Sequence, residues 1–213
     1  THEVEIIENT SWSCSHGIKR WEDDCGCSSG HNPGWKQNWR QPLRQALDWL
    51  RDTLIPVYEQ RMKSFCDDPW KVRDMYIQIV LDRSVENIER FLADHCRLDL
   101  SKQDKVTILK LLEMQRHCML MYTSCGWFFD DISNIETRQI LCYASRAMQL
   151  AKDISNVHLE KDFVARLVEA PSNVVEYKNG AVVYDRLVKP SIADLVRVGA
   201  HYRALATDVE GGV

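Results

Sequence analysis

Four side chains that bind soft metal ions lie close together near the start of the chain. They are Cys14, His16, Cys25 and Cys27. Thiolate sulfur and imidazole nitrogen are ligands that zinc prefers, and four of them close a tetrahedral site. A single residue separates each pair, although zinc ligands are usually roughly two to four residues apart; Gly26 relaxes the backbone between the second pair. The sequence predicts a zinc or iron site, with reduced thiols packed under tryptophan rings as the alternative.

The chain contains no complete motif for nucleophilic or acid-base catalysis. It has no glycine-rich phosphate loop, nucleophile elbow or His-Glu-x-x-His sequence. Asp130 and Asp131 are adjacent, and adjacent residues on a helix do not face the same way, so they do not form an acid-base pair. The sequence therefore assigns no catalytic residue, and whether the chain acts within an enzyme stays open.

The four candidate ligands lie in a long irregular segment, residues 11–39, which is rich in glycine, serine, asparagine and proline. Residues 2–7 alternate charged and apolar side chains, which predicts a short strand before this loop. From about residue 41 the apolar residues recur at helical spacing. Predicted helices cover residues 41–62, 69–94, 101–128, 135–155, 159–169 and 190–205, and Ser101 with Asp104 forms a capping box.

The fold predicted from these elements is mainly α. We expect one domain, in which residues 1–40 form the strand and the loop and residues 41–213 form a helical bundle. Asn179-Gly180 between two apolar runs predicts a late β-hairpin over residues 173–187.

Composition limits the classes of partner. The 213 residues carry a formal net charge of −4, which gives no reason to expect nucleic acid or an anionic membrane. The apolar runs are too short to span a bilayer, and the first residues lack a signal-peptide pattern, so we expect a cytoplasmic location. There the eight cysteines would remain reduced.

Several segments together carry a resemblance to a known family: Glu8-Asn9-Thr10-Ser11-Trp12-Ser13-Cys14-Ser15-His16-Gly17, Arg20-Trp21, Asp24-Cys25-Gly26-Cys27, Pro33-Gly34-Trp35, Trp39-Arg40, Pro42-Leu43-Arg44, Ala46-Leu47-Asp48-Trp49-Leu50-Arg51-Asp52 and Ser124-Cys125-Gly126-Trp127-Phe128-Phe129-Asp130-Asp131-Ile132-Ser133. They resemble the uncharacterised C-terminal domain, of the domain of unknown function 3536 type, of bacterial proteins whose N-terminal part looks like glycoside hydrolase family 57. That group includes α-amylase-like and α-mannosidase-like enzymes. The resemblance covers nearly the whole chain.

The resemblance implies an accessory role in carbohydrate metabolism. In such proteins the catalytic carboxylates lie on a β/α barrel, so this chain would not hydrolyse a glycosidic bond by itself, and its partners would be that barrel domain and an oligosaccharide. Aromatic faces suit the C–H faces of sugar rings. The expected sugar-binding residues are Trp12, Trp21, Trp35, Trp39, Trp127 and His31. Three functions stay open at this point: a sugar-binding accessory domain, a metal- or cofactor-binding module, and an interdomain or oligomer interface.

Overall fold

Two long helices with complementary apolar faces form the centre of the protein in the computed structural model, which describes residues 3–192. In α5 (Lys102–Leu120) the buried residues recur every three or four positions, among them Ile108, Leu111 and Leu112. In α7 (Ile135–Ser155) the facing positions include Ala144 and Ala147, whose small side chains allow close approach. These two helices make the most extensive helix pair of the described residues. Their contact is the centre of the core.

The first helix, α1 (Arg40–Met62), lies across this pair and buries one face against α5, α7 and α8 (Glu160–Leu167). Its buried stripe includes Leu43, Leu47, Leu50 and Leu54. Pro56 lies inside α1, and the helix continues through it to Met62. Packing of the apolar stripe on both sides of Pro56 compensates for the backbone hydrogen bond that proline cannot donate.

The predicted helix over residues 69–94 is three shorter helices. Asp68 caps the first of them by accepting a hydrogen bond from the Lys71 backbone, and Ser84 caps the third by accepting one from Asn87. Asp68 thus marks the predicted start, whereas Ser84 starts a new helix inside the segment that was predicted to be one continuous helix. The bounds are α2 (Pro69–Met75), α3 (Ile77–Leu81) and α4 (Val85–His95).

The capping box predicted at Ser101 is confirmed, because Ser101 and Asp104 exchange side-chain to backbone hydrogen bonds of 3.0 and 3.1 Å. The helix that it starts ends at Leu120 instead of continuing to Phe128, and a separate short helix follows. The remaining elements are α6 (Cys125–Phe128), α8 (Glu160–Leu167), α9 (Gly180–Val183), a π-helical segment (Tyr184–Val188) and two 3-10 turns (Lys19–Trp21 and Lys189–Ser191).

The mainly helical fold is confirmed, but both β predictions are wrong for the described residues. Residues 3–7 pair with no strand there, and Val4 and Ile6 are exposed, so the alternating pattern has neither a hydrogen-bonding partner nor a buried face.

The predicted hairpin over residues 173–187 is also absent. Only an isolated antiparallel bridge joins Pro171 to Asn179. Asn179 acts as a helix cap, because its side chain accepts a hydrogen bond of 3.1 Å from the Val182 backbone. Gly180 is needed for close packing, since an added Cβ would lie 2.8 Å from Ile132 Cδ1. Asn-Gly therefore starts a helix here and does not form a hairpin turn.

Two further sequence predictions concern the C-terminal helix and membrane crossing. The last predicted helix, residues 190–205, lies mostly outside the described residues, which end with a 3-10 turn and Ile192. Within residues 3–192, no helix combines the length and the apolar character that crossing a membrane requires.

Candidate metal centre

The four predicted ligands converge in space. One ligand atom from each of Cys14, His16, Cys25 and Cys27 can be chosen so that all four lie within 4.8 Å of one another. We call these four residues the Cys/His cluster. Cys14 is buried, Cys25 and Cys27 are half-buried, and His16 is exposed. The chain thus gathers three thiols and one imidazole at the edge of the bundle, with the imidazole facing solvent.

Three of the distances between ligand atoms match a tetrahedral zinc site, and all four atoms lie within 4.8 Å of one another. Cys14 Sγ lies 3.7 Å from both Cys25 Sγ and Cys27 Sγ, and Cys27 Sγ lies 3.4 Å from His16 Nδ1. Zinc bonds of about 2.3 Å to sulfur and about 2.0 Å to nitrogen, arranged tetrahedrally, place two sulfurs about 3.8 Å apart and a sulfur and a nitrogen about 3.6 Å apart. A disulfide requires about 2.05 Å, and all eight cysteines are free.

The backbone explains how ligands two positions apart reach one point. Gly26 has a φ of +74°, a left-handed conformation that side chains other than glycine rarely adopt. This turn lets Cys25 and Cys27 direct their sulfurs to the same side. A 3-10 turn, Lys19–Trp21, reverses the chain between the two ligand pairs. The short spacing that argued against a site in the sequence is therefore accommodated by local geometry.

The cluster favours the ionised form of Cys14. Burial raises the pKa of a thiol, but the hydrogen bonds that Cys14 makes with His16, Cys27 and Cys25 outweigh burial and lower its pKa from 9.0 to about 6. The pKa of Cys25 moves in the opposite direction, because burial and the neighbouring thiolate of Cys14 both disfavour a second negative charge. The protein alone thus favours one thiolate, at Cys14, and disfavours a second one at Cys25.

Two buried arginines adjoin the cluster. Arg20 is 3% exposed and Arg40 is fully buried. Arg20 donates hydrogen bonds to the Phe128 and Ser13 carbonyls at 3.2 and 3.0 Å. Arg40 donates to the Cys27 carbonyl at 2.6 Å, and its Nη1 lies 4.0 Å from Cys25 Sγ. Both guanidinium groups fix the loop by binding its carbonyls.

The charges of these arginines complement a thiolate site. Within the described part of the chain neither Arg20 nor Arg40 forms a salt bridge with a carboxylate, and the Nε atom of each has no hydrogen-bond partner. Burial and the neighbouring charge of Arg20 lower the pKa of Arg40, whereas Cys25, Asp130 and Cys27 raise it. Because buried charges require compensation, two cations beside three thiols favour a metal–thiolate centre with a net negative charge.

Of the adjacent aspartates, Asp130 attaches the loop to the bundle at Ser29. Asp130, which is 2% exposed, accepts hydrogen bonds from the Ser29 backbone and hydroxyl at 2.7 and 2.5 Å. Asp131 is fully buried and accepts from Ser133, Ser172 and Asn173. The two carboxylates therefore face different segments, as the sequence predicted, and both have structural partners.

The predicted sugar-binding residues do not form one surface. Trp39 and Trp127 are buried in the core, Trp21 and Trp35 are half-buried, and Trp12 is 92% exposed. Trp21 Nε1 donates a hydrogen bond of 2.8 Å to the Ser124 carbonyl, which fixes the loop on the bundle. His31 is exposed and lies 3.0 Å from the Ser29 hydroxyl. Trp12 is the member of the set whose ring is open to a ligand, and it packs against Phe128 with its centroid 6.0 Å away.

Comparison with known proteins identifies a family. A family model described as a domain of unknown function (DUF3536) matches residues 35–210. The chain belongs to this family. Comparisons with curated proteins and with solved structures find no match. The resemblance to proteins of glycoside hydrolase family 57 stays a prediction, since the DUF3536 match does not test it.

The match begins after the Cys/His cluster, so the four candidate ligands lie outside the DUF3536 region, whereas Arg40, Asp130 and Asp131 lie within it. Sequence analysis predicted the four ligands but missed both buried arginines. The one available signal was their position beside tryptophans, as in Arg20-Trp21 and Trp39-Arg40. Burial of a charged side chain depends on tertiary contacts, and no local pattern reveals it.

Proposed function

We propose that residues 11–39 of this DUF3536 protein form a structural zinc-binding module that fixes the loop on the helical bundle. The supporting observation is the convergence of three thiol sulfurs and one imidazole nitrogen within 4.8 Å. Four protein ligands would fill the coordination sphere of zinc, which is typical of structural sites, whereas catalytic zinc sites keep one position for water or substrate.

Zinc fits this ligand set better than iron does. Iron–sulfur clusters are held by four cysteines, or by two cysteines and two histidines in the Rieske type, and they need room for bridging sulfides. Sulfurs 3.7 Å apart with a nitrogen at 3.4 Å leave space for one ion. Zinc also has no d-electron preference for a coordination geometry that would conflict with a tetrahedral arrangement of ligands.

Elemental analysis of the purified protein tests the proposal. We expect one zinc per chain in the native protein and none in Cys25→Ser after dialysis. The matched control is Cys125→Ser, which replaces an exposed free cysteine outside the Cys/His cluster and should retain zinc. Cobalt should replace zinc and show the thiolate-to-metal absorption of a tetrahedral site, and Cys25→Ser should weaken that absorption.

Metal-free native protein that also fails to bind added zinc or cobalt would exclude the module. Equal zinc loss in Cys25→Ser and Cys125→Ser would show that the metal is bound elsewhere. His16→Gln tests the exposed ligand separately, because it should lower the affinity for zinc while the three cysteines still bind.

A second candidate function is the carbohydrate-binding accessory role that the family resemblance implies. One observation favours it: Trp12 presents an almost fully exposed ring that is supported from one side by Phe128. In this case Trp12→Ala should weaken binding of maltoheptaose, measured by calorimetry, and Leu98→Ala, which alters an exposed apolar side chain elsewhere, should not. Absence of maltoheptaose binding, or equal binding by both variants, would contradict this role.

A further inference from the structure

A second group of arginines surrounds a cavity on a different face of the protein. The cavity has a volume of about 300 Å³ and lies between α1, α2 and the end of α5. We call it the arginine pocket. Its lining includes Arg44, Arg51, Arg73, Trp70, Tyr122 and Gln115. The volume is at the lower end of the range for small-molecule sites.

Aromatic rings hold the three guanidinium groups in place. Arg44 and Arg51 lie over the ring of Tyr122, with their Cζ atoms 4.9 and 5.7 Å from its centroid. Arg73 lies over Trp70 at 4.8 Å. Stacking on a ring restricts the side chain, so less conformational entropy is lost when its N–H groups bind a ligand. The pocket is therefore partly preorganised for a ligand that accepts hydrogen bonds.

Carboxylates occupy only part of the hydrogen-bonding capacity of these arginines. Asp48 accepts from Arg44 Nε at 3.0 Å and from Arg51 Nη1 at 2.9 Å, and the Tyr122 hydroxyl donates to it at 2.6 Å. Asp52 and Asp74, the partners of Arg51 and Arg73, are more than half exposed and do not line the cavity. Exposed pairs of this kind are weak because solvent screens them.

Three terminal nitrogens remain without a partner in residues 3–192: Nη2 of Arg44, Nη2 of Arg51 and Nη1 of Arg73. The lining contains these three cations and no carboxylate. Free donors on fixed guanidinium groups match the oxygens of a carboxylate or phosphate.

An unsatisfied buried amide gives independent evidence for a ligand. Gln115 lines the pocket and is only 5% exposed, and its Nε2 has no hydrogen-bond partner in the described structure. Leaving a buried donor unpaired is unfavourable, so most such groups in proteins bind water or a ligand. Ile55 and Met119 supply apolar lining beside it.

From these contacts we propose that the arginine pocket binds a small molecule carrying a carboxylate or phosphate group. The oxyanion accepts hydrogen bonds from the three arginines and from Gln115 Nε2, and the body of the molecule packs against Tyr122 and Met119. The residues of this site differ from the Cys/His cluster, although Arg44 Nη1 donates a hydrogen bond of 3.0 Å to the Trp21 carbonyl of the loop.

Titration with phenyl phosphate and with benzoate, followed by NMR of side-chain N–H groups, tests the pocket. The two probes distinguish a phosphate site from a carboxylate site. We expect saturable binding of at least one of them with a dissociation constant of about 10 mM or tighter, as for small ligands of this size. The Trp70 indole and Gln115 amide signals should shift, and the Trp49 indole, which lies outside the pocket, should not.

Arg73→Gln should weaken binding of the preferred probe by about tenfold, the effect of one charge-assisted hydrogen bond. Gln115→Leu should weaken it as well, and the two variants keep the test informative if one of them folds poorly. The control is Arg186→Gln, an exposed arginine paired with Glu176 away from the pocket, which should leave affinity unchanged. Absence of saturable binding for both probes would overturn the proposal, and so would equal weakening by Arg73→Gln and Arg186→Gln.

Discussion

The N-terminal loop and the helical bundle are stabilised by different interactions. Within residues 11–39 only four side chains are buried: Cys14, Arg20, Gln37 and Trp39. Two of these are polar, and the segment has no hydrophobic core of its own. In the bundle, by contrast, α5 and α7 bury continuous apolar faces that contact each other. The bundle therefore gains its stability from apolar burial, whereas the loop depends on a small number of polar attachments.

Those attachments include the Cys/His cluster, the arginine bonds to backbone carbonyls, the Asp130 bonds to Ser29 and the Trp21 bond to the Ser124 carbonyl. Only the first can be removed without changing the sequence, because it depends on a metal in the proposed function. Loop order and bundle stability should therefore respond to different perturbations.

Removal of the metal should have the largest effect and should be confined to the loop. Chelation, or the Cys25→Ser change, should release residues 11–39, because structural zinc in small peptide sites contributes about 10 kcal/mol or more to folding. Hydrogen exchange measured by mass spectrometry should show loss of protection at Trp21, Glu22 and Asp23, whose amides donate backbone hydrogen bonds within the loop. Amides of α5 and α7 should keep their protection.

The control for this experiment is Cys125→Ser with and without chelator, which should behave like the native protein. If chelation leaves the protection of Trp21 to Asp23 unchanged, the loop does not depend on a metal. If protection is lost equally in α5 and α7, loop and bundle form one cooperative unit and the comparison fails.

A substitution in the core should lower the stability of the bundle and leave zinc binding unchanged. Leu111 is fully buried in α5, and Leu111→Ala should lower the free energy of unfolding by about 2 to 5 kcal/mol through lost burial and the remaining cavity. Urea denaturation followed by circular dichroism measures this loss. Zinc stoichiometry should stay at the native value. Leu98→Ala, at a position that is 89% exposed, should change stability by less than about 0.5 kcal/mol.

Replacement of Arg40 tests the contact between the N-terminal loop and the helical bundle. Arg40→Met removes donors to the Cys27 and Phe129 carbonyls and a positive charge near Cys25. With thiolates present, we expect a loss of about 2 to 3 kcal/mol in stability and a decrease of about tenfold or more in zinc affinity.

An unchanged or increased stability of Arg40→Met would indicate that no thiolate compensates the charge of Arg40. If the three cysteines were neutral thiols with no metal, Arg40 would be a poorly compensated buried charge, and methionine would be neutral or stabilising. Urea denaturation of Arg40→Met beside Arg186→Met, which alters an exposed arginine, distinguishes the two cases.

A smaller effect is expected at the start of α9. The Asn179 side chain accepts a hydrogen bond from Val182, so Asn179→Ala should cost about 1 kcal/mol of stability. Asn179→Asp keeps an accepting oxygen and should retain most of that energy. Thermal denaturation measures both. A larger loss in Asn179→Asp than in Asn179→Ala would show that the cap does not stabilise this segment.

Asn179 also shows which parts of the fold the sequence could predict. Long amphipathic helices such as α7 were predicted within a few residues, because one buried face repeats over many turns. Asn179-Gly180 was misinterpreted as a hairpin turn, since the same two residues also suit a helix cap followed by a tightly packed glycine. Short-range signals with two structural meanings are decided by tertiary packing.

The candidate site also contains some features that the sequence could predict and others that it could not. The ligand types of the Cys/His cluster are visible in the sequence, and their convergence was predicted from composition and proximity alone. The buried states of Arg20 and Arg40, and the assembly of Arg44, Arg51 and Arg73 around one cavity, arise from contacts between segments distant in sequence. No periodicity or motif encodes such contacts, so they required a structure.

The smallest expected effect concerns pH and the bundle alone. His117 in α5 is partly buried, and its Nδ1 has no hydrogen-bond partner among the described residues. Burial lowers its pKa from 6.5 to about 4, so the folded state resists protonation more than the unfolded state does. The penalty is absent at neutral pH, begins as the pH falls below about 6.5 and is complete below about 4.

His117→Asn should therefore leave stability at pH 7 nearly unchanged and should reduce its decline between pH 6.5 and pH 4. Because the side chain is partly exposed, solvent screening limits the difference to about 1 kcal/mol at pH 5. Urea midpoints of the native protein, His117→Asn and the exposed-site control His158→Asn across this range measure it. A decline that is as steep in His117→Asn as in the native protein would assign acid sensitivity to other groups.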